Sequence, residues 1–259
     1  MRYLRVWLQL TKNAFSSYTS NRLNSLTFSL GKIIRFAFLW LMIIAVFRHA
    51  KGFAGYTEQQ ALLFFITFNL VDVASQAVFR GVYRFAHDVN RGTFDVILTK
   101  PINSLFYIMT RLTDILDILF LVPIAAALIY IILQLPGLTP ISLLWYAGFL
   151  LLGLCLTTAI HIITAALCLW TTENENIIWF YRQATIVATF PPDILSVGWQ
   201  IVFTFALPII IMMAYPARAL LGTITNGQIL TGILVTAFFF GGSLLVWRVS
   251  LRQYSSASS

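Results

Sequence analysis

The chain has 259 residues, of which 59% are apolar and 10% are charged, and its mean hydropathy is +0.84. A soluble domain carries about a quarter charged residues, so this composition excludes a soluble protein and predicts an integral membrane protein. The net charge of +8 does not indicate a nucleic-acid partner, because the basic residues border the apolar stretches instead of forming one patch.

The apolar stretches are long and do not alternate with polar residues. A bilayer core of about 30 Å needs about 20 apolar residues of helix, and this pattern favours helices over a β-barrel. We therefore predict an all-α integral membrane protein with one domain over residues 1–259. Its six transmembrane helices are predicted at residues 26–47, 60–79, 105–133, 141–170, 177–190 and 229–247.

The positions of lysine and arginine predict the orientation. By the positive-inside rule, 14 of the 17 basic residues fall in segments assigned to the cytoplasm, and only Arg48, Lys51 and Arg218 fall outside. Both termini are therefore predicted to be cytoplasmic. The compact single-domain form and the lack of an organelle transit pattern favour a bacterial inner membrane.

Residues 1–20 are predicted to form an amphipathic helix in the membrane interface. The anionic lipids of the inner leaflet attract a basic residue by about 1 kcal/mol, so lipid is an expected partner of this helix. A simple juxtamembrane anchor is the alternative, because it has the same pattern. The apolar face carries Tyr3, Leu4, Trp7, Leu8, Ala14 and Phe15, and the polar face carries Arg2, Arg5, Gln9, Lys12 and Asn13.

Polar residues interrupt the first two predicted spans. Arg35 lies in the first span, and Asn69, Asp72 and Gln76 follow one stripe of the second. Arg35 and Asp72 lie at similar depth, so we predict that they pair, because an uncompensated charge at the bilayer centre costs about 2.5–3.5 kcal/mol. These four residues are the predicted intramembrane polar pathway. The alternative for Arg35 is that its side chain extends to the inner surface.

Residues 88–101 separate the second and third spans with polar, basic and turn-forming residues. Phe94, Ile97 and Leu98 fall at helical spacing between Gly92 and Pro101, which predicts a short amphipathic helix at the membrane surface. We interpret this helix as the point where a component outside the membrane contacts the protein.

Charged residues also begin the third predicted span. Arg111, Asp114 and Asp117 are spaced three residues apart and share one side of a helix. We expect these residues to form a solvated helix start below the lipid, which we call the solvated foot, and a cytoplasmic vestibule is the alternative. In the fourth span His161 is the only ionisable group, and we expect a hydrogen-bonded packing residue there instead of a proton relay.

The segment 191–228 is rich in proline and is predicted to be a re-entrant element on the outside. Treating both of the apolar helices that flank Pro191 and Pro192 as full spans would leave the termini on opposite sides, against the distribution of basic residues. The second of these helices is expected to stop at Pro216. Irregular backbone at membrane depth is tolerated only where protein or water satisfies it.

The order of these elements resembles the membrane subunit of a type-2 ATP-binding-cassette (ABC-2) exporter. Arg91-Gly-Thr-Phe-Asp-Val-Ile-Leu-Thr-Lys-Pro101 is similar to the G-x-(L or F)-D-x-x-L-x-x-P stretch of that family. Phe190-Pro-Pro and Tyr215-Pro-Ala-Arg-Ala-Leu-Leu-Gly222 resemble its later proline-marked segments, and Pro191, Pro192 and Pro216 would belong to an outside gate.

The resemblance implies that the surface helix is a coupling helix, which docks into a groove of a separate ATPase subunit. Phe94 and Leu98 would be its apolar anchors, and Arg91 and Asp95 would set its register. An ordinary surface loop with a helix-capping Asp is the alternative. The residues assigned to ATPase coupling are Arg91, Gly92, Thr93, Phe94, Asp95, Leu98 and Pro101.

No G-x-x-x-x-G-K-(S or T) motif occurs in the chain, so ATP and Mg²⁺ are expected on a partner ATPase dimer. This chain is expected to be a transport subunit with no catalytic residue, no metal site and no cofactor of its own. A second permease copy or a paralogue would complete the pathway, and an amphipathic, lipid-like or drug-like substrate would move outward. An ion-coupled secondary transporter is the alternative, because broken helices and buried charges are also its features.

Overall fold

The computed structural model describes residues 2–20, 22–49, 55–171 and 175–255, and these residues fold almost entirely into helices. Helices suit long apolar segments because they satisfy every backbone hydrogen bond within the segment. The α-helices of the described residues are α1 (Arg2–Ser20), α2 (Arg22–His49), α3 (Glu58–Phe79), α4 (Phe85–Asn90), α5 (Thr93–Leu98), α6 (Ser104–Thr110), α7 (Ile115–Gln134), α8 (Pro140–Thr171), α9 (Glu175–Thr185), α10 (Val197–Ile201), α11 (Ile209–Leu220) and α12 (Asn226–Gln253). Short 3₁₀ turns occupy Arg80–Arg84, Ile186–Thr189 and Pro192–Ile194, and a π-helical turn occupies Val202–Ala206.

Four helical segments of the described residues are long and apolar enough to cross a membrane, and a pair of helices bent by 105° brings the number to five if the pair counts as one span. The all-α, multi-pass prediction is therefore confirmed, while the number six stays a prediction. The four segments are Glu58–Asn90, Ile115–Gln134, Pro140–Thr171 and Asn226–Gln253, and the bent pair is Val197–Ala206 with Ile209–Leu220. Predicted span 26–47 lies within α2, and span 177–190 falls on the shorter α9 and the turn after it.

The third predicted span, 105–133, is divided in the structure between α6 and α7. Asp114 causes the division, because its Oδ1 atom accepts the backbone N–H groups of Leu116 at 3.0 Å and Asp117 at 3.2 Å and so caps α7. The Asp114 N–H group donates to the Ala77 carbonyl of α3 at 2.9 Å. The start of α7 is therefore fixed against the end of α3.

The main core forms where α3, α7, α8 and α11 pack together. α3 is at its centre, since 72% of the residues in the most apolar part of Glu58–Asn90 are buried, against 22% for α7 and 17% for α12. The close packing of α8 against α11 requires Gly153, because a Cβ atom there would overlap the Met212 carbonyl. Side chains of α11 are buried from Ile209 to Leu220.

A second, smaller core holds α4, α5 and α6 against the ends of α8 and α12. We call this end of the bundle the α5 end. The other end of α3, near Thr57, is the opposite end, because the 22 residues of α3 extend over about 33 Å. The second core is centred on Phe85, Phe94, Ile108 and Trp247.

Candidate functional site

The predicted surface helix is α5, a helix of six residues between Gly92 and Thr99. Gly92 has a left-handed backbone with φ of 67°, and its N–H group donates to the Val89 carbonyl at 3.1 Å. A left-handed residue interrupts a right-handed helix, so α4 ends before Gly92 and α5 begins after it. Glycine adopts this conformation readily because it has no Cβ atom. At the far end Thr99 Oγ1 donates to the Val96 carbonyl at 2.9 Å.

The side chains of α5 divide into an inner and an outer set. Phe94 is 0% exposed and Ile97 is 2% exposed, whereas Val96 and Leu98 are 59% and 40% exposed. Phe94 is therefore not the surface anchor that we expected, because its ring packs edge-on, with centroids 5.0 Å apart, against both Phe85 and Tyr254. The sequence grouped Phe94, Ile97 and Leu98 on one face and missed Val96.

The remaining residues expected to couple to an ATPase surround these two exposed apolar side chains. Asp95 and Gly92 are half-buried. Lys100 also belongs to this region, since its Nζ atom donates to Tyr107 Oη at 2.9 Å and lies 4.2 Å from the centroid of that ring. We define the α5 surface as the exposed residues Arg91, Thr93, Val96, Leu98, Thr99, Lys100 and Pro101.

Three of the four predicted pathway residues line one cavity near the α5 end, which we call the polar cleft. Asn69, Asp72 and Gln76 contribute from α3, as the stripe predicted. The side chain of Arg35 lies outside the described part of the structure, so its predicted pair with Asp72 stays a prediction. The lining residues are Lys32, Phe36, Phe68, Asn69, Asp72, Val73, Gln76, Asp117, Phe120 and Arg182.

Two buried carboxylates form a charge network behind the polar cleft. The side chains of Asp114 and Asp117 are 0% and 1% exposed, so the expectation of a solvated foot was wrong. Lys32 Nζ pairs with Asp117 and lies 4.0 Å from Asp114 Oδ2. Arg80 Nη2 lies 3.3 Å from the same Asp114 oxygen. The two cations allow burial of both carboxylates, because an ionised group leaves water only with a partner.

Hydrogen bonds extend this network along α3. Arg80 Nη1 donates to Gln76 Oε1 at 3.4 Å, and Gln76 Nε2 donates to Asp72 Oδ2 at 2.7 Å. Sequence reasoning missed Lys32 as the partner of the α7 carboxylates. The available signal was a lysine within an apolar span, which requires a counter-charge from another helix.

A second polar network joins three segments at the opposite end. Asp193 accepts a hydrogen bond from Tyr56 Oη at 2.7 Å and one from Arg218 Nη2 at 2.8 Å. Burial alone would raise the pKa of Asp193, but these hydrogen bonds and the Arg218 charge outweigh it and hold that pKa below its usual range. The network therefore connects the segment before α3, the turn Pro192–Ile194 and α11.

The prolines of the predicted outside gate lie close to this network. Pro191 and Pro192 are buried at the start of the 3₁₀ turn. We expected Pro216 to stop the helix, and this was wrong, because α11 continues through Pro216 to Leu220. The bend of 105° occurs instead at Leu207 and Pro208, between the two halves of the bent pair.

His161 is fully buried in α8. Its Nδ1 atom lies 2.8 Å from the Thr157 carbonyl, and the rings of Phe79, Tyr83 and Tyr181 surround it at centroid distances of 5.2 to 6.0 Å. This is the environment of a hydrogen-bonded packing residue, as expected from the sequence. Within the described ranges, no group of three His, Cys, Asp or Glu side chains is arranged to hold a metal ion.

Residues 33–258 match a family model described as "ABC-2 family transporter protein". The matched range includes α5, most residues of the polar cleft and the bent pair of helices. Comparison with curated proteins and with solved structures gave no match.

Proposed function

Because the chain belongs to the ABC-2 transporter family, we propose that it is the permease subunit of an exporter powered by a separate ATPase subunit. Family membership makes it a multi-pass membrane component of an ABC transporter. Export as the direction, an ATPase dimer as the partner and a second permease copy or paralogue beside it are parts of this proposal. ATP and Mg²⁺ would be bound by the ATPase.

The observation that supports the proposal best is the division of α5 into two faces. Val96 and Leu98 are exposed beside the basic residues Arg91 and Lys100, and a surface of this kind suits a protein groove with apolar walls and an acidic rim. The region of Gly92 to Pro101 carries the family-like motif. We therefore propose that the α5 surface docks on the ATPase.

The buried face of α5 connects this surface to the rest of the bundle. Phe94 packs against Tyr254 beyond α12 and against Phe85, whose ring lies 6.3 Å from that of Trp247 in α12. A close-packed core transmits displacement because it resists compression. A push on the α5 surface would therefore move α12 and α8, and the proposal requires the contacts of these helices to differ between two transport states.

The orientation and substrate pathway complete the proposal. We place the α5 end in the cytoplasm of a bacterial cell, with both termini on that side and α1 in contact with the lipid of the inner leaflet. An amphipathic, lipid-like or drug-like substrate would enter through the polar cleft and leave near Asp193. The ion-coupled transporter that the sequence left as an alternative has no support from the family match.

Co-purification from native membranes tests the docking step. The double variant Val96→Asp/Leu98→Asp should lose a soluble ATPase that accompanies the wild type, because two carboxylates then replace the apolar contact. Val249→Asp is the matched control, since Val249 is also apolar and 46% exposed, but lies on α12. Absence of any ATPase from the wild-type preparation would reject the proposal.

A second variant separates docking from transmission. Phe94→Ala removes a buried ring and leaves Val96 and Leu98 in place, so the ATPase should still co-purify while ATP-dependent transport falls. Transport in inside-out vesicles should require ATP and persist when proton and sodium gradients are dissipated. Transport that follows an ion gradient without ATP would instead identify a secondary transporter.

A further inference from the structure

A cavity of about 500 Å³ lies at the opposite end of the bundle. It forms where the α7–α8 turn and the α11–α12 turn meet the first residues of α3, and we call it the turn cavity. The polar cleft encloses only about 50 Å³. Because ligand sites occupy about 300–1,000 Å³, the turn cavity is large enough for a whole small-molecule ligand.

The turn cavity is electrically neutral. None of the described residues that line it carries an ionisable side chain, whereas the polar cleft is lined by both cations and carboxylates. Helices α3, α8 and α12 begin beside the cavity, and α7 and α11 end there, so the partial charges of the helix ends oppose each other. An ionic ligand would lose water in this cavity without gaining a counter-charge. The turn cavity therefore favours an uncharged ligand.

Three lining side chains offer polar groups that the described structure does not use. The Oε1 atom of Gln60 accepts the Thr57 N–H group at 2.9 Å, which leaves the amide NH₂ group of Gln60 for another acceptor. Within the described residues, the side-chain amide of Asn226 and the indole N–H group of Trp145 also form no hydrogen bond. An amide offers a donor and an acceptor together, and a hydroxyl group does the same. A ligand rich in hydroxyl groups therefore matches these side chains.

Trp145 gives the turn cavity a flat apolar wall. Its side chain is 45% exposed, and its ring lies 6.2 Å from that of the buried Phe149, which in turn lies 6.0 Å from the Tyr215 ring. The indole is therefore supported by the core on one side and open to a ligand on the other. A sugar ring has C–H groups on its face and hydroxyl groups at its edge, so it can stack on an indole and donate to the amides at the same time.

We propose that the turn cavity binds an uncharged saccharide, either free or as the head group of a glycolipid. Trp145 stacks on the face of a sugar ring, and Gln60 and Asn226 bind the ring hydroxyl groups. The turn cavity and the polar cleft have no lining residue in common. The inference therefore goes beyond the proposed function, because it concerns a separate site at the other end of the bundle.

Binding of matched probes tests the ligand class. The full-length protein is placed in phosphatidylcholine nanodiscs, since maltoside detergents would themselves supply a sugar, and Kd values are measured by saturation-transfer NMR. Maltose should bind about tenfold or more tightly than tetraethylene glycol, which is also uncharged but has no ring to stack. Glucose should bind about tenfold more tightly than glucuronate, because the cavity offers no cation to the carboxylate.

Variants at two lining residues locate the site. Trp145→Leu should weaken maltose binding about tenfold because it removes the stacking surface, and Asn226→Ala should weaken it by about threefold to tenfold because it removes hydrogen bonds. Trp199→Leu is the matched control, since Trp199 is another exposed tryptophan, 57% exposed, that does not line the cavity. Gel filtration confirms that each variant is folded. Asn226→Ala changes an exposed residue and keeps the test valid if Trp145→Leu does not fold.

Equal affinity for maltose and tetraethylene glycol, or wild-type maltose affinity in Trp145→Leu and Asn226→Ala, would overturn the proposal. Nanodiscs that also contain glucosyl diacylglycerol distinguish the two sources of the sugar. Weaker apparent maltose binding in these discs would identify a glycolipid head group as the ligand, whereas unchanged binding would identify a free saccharide. Either result supports the site only if Trp145→Leu has already lost maltose binding.

Discussion

The two ends of the bundle are both held by carboxylates, but in different surroundings. At the α5 end, Asp114 and Asp117 have side chains that are at most 1% exposed, and two cations accompany them. At the opposite end, Asp193 is 39% exposed and is the acceptor for both Tyr56 and Arg218. One end therefore has a buried network with two carboxylates, and the other has a network that depends on one.

This difference indicates which end can change its structure at low cost. Breaking a buried ion pair leaves a charge without water or partner, at a cost of about 3–5 kcal/mol. When the Asp193–Arg218 pair opens, the 39% exposed Asp193 regains water but the 9% exposed Arg218 does not. The cost therefore lies above the roughly 0–1 kcal/mol of an exposed pair and below that of a fully buried one. The buried network is suited to holding α2, α3 and α7 in a fixed arrangement, and the network with the half-exposed carboxylate costs less to open.

Removal of Asp114 should have the largest effect on stability. Asp114→Ala leaves Arg80 without its carboxylate, at a cost of about 3–5 kcal/mol, and removes the cap of α7, at a cost of about 0.5–2 kcal/mol. Because folded proteins are stable by only about 5–15 kcal/mol, we expect little monodisperse protein. The measurement is the yield and thermal midpoint by gel filtration in detergent.

Asp114→Asn separates the two contributions. Asparagine caps helices as well as aspartate does, so this variant loses the charge and keeps the start of α7. The thermal midpoint of Asp114→Asn should lie between those of Asp114→Ala and the wild type. Equal midpoints for Asp114→Asn and the wild type would show that the ion pair contributes nothing and would remove the contrast between the two ends.

The Lys32–Asp117 pair should show coupling in a double-mutant cycle. Lys32→Met leaves the buried Asp117 carboxylate without its nearest cation, and Asp117→Asn leaves Lys32 without its nearer carboxylate, so each should lower the free energy of unfolding by about 2–4 kcal/mol. The double variant should be more stable than the sum of the two losses predicts, by about 0.5–3 kcal/mol. Strict additivity would contradict the pairing seen in the structure.

Composition and periodicity were sufficient to predict the membrane class, the helical fold and the position of α5. The polar stripe of Asn69, Asp72 and Gln76 was also predictable, because side chains at helical spacing share a face wherever the helix packs. The family-like motif marked the residues that are proposed to couple, and they coincide with α5 and its flanking residues. All of these depend on patterns local to one segment.

Contacts between distant segments were not predictable in the same way. The pairing of Lys32 with Asp117 joins residues 85 positions apart, and the α5 motif does not reveal that the second core buries Phe94. The break before α7 depends on a hydrogen bond from Asp114 to α3, which hydropathy does not record. Tertiary packing selects which of several compatible faces turns inward.

Asp193→Asn should have a smaller effect than the changes at the buried end, and the effect should be local. Tyr56 and Arg218 donate to different oxygens of the Asp193 carboxylate, so the amide keeps one of these two acceptors and loses the charge. Stability should fall by less than in the Asp114 variants, because Asp193 is 39% exposed. Hydrogen exchange should accelerate in residues 190–207 and stay unchanged in α7. Glu58→Gln is the control, because it removes another carboxylate near the start of α3. Faster exchange throughout the bundle would show that Asp193 supports the whole fold, and the two ends would then not differ in this respect.

The pH dependence of the network at the opposite end should be the smallest measurable effect. Burial alone would raise the pKa of Asp193, but the hydrogen bonds from Tyr56 and Arg218 outweigh it and hold that pKa below its ordinary 3.8. Burial, together with the hydrogen bond to Asp193, raises the pKa of Tyr56 above its ordinary 10.0. The stability that Asp193 contributes is present above about pH 4 and is lost as the pH falls through its lowered pKa. The stability that Tyr56 contributes is present below about pH 10 and is lost as the pH rises through its raised pKa. The thermal midpoint of the wild type should therefore decline at both extremes. Tyr56→Phe should remove the Tyr56 part of the alkaline decline and also weaken the acid decline, because the Tyr56 hydrogen bond helps to lower the pKa of Asp193. Asp193→Asn should remove the Asp193 part of the acid decline and also weaken the alkaline decline, because Asp193 helps to raise the pKa of Tyr56. If neither variant changes its own side of the profile, titration at the buried end controls the pH response, and the opposite end is not the weaker of the two.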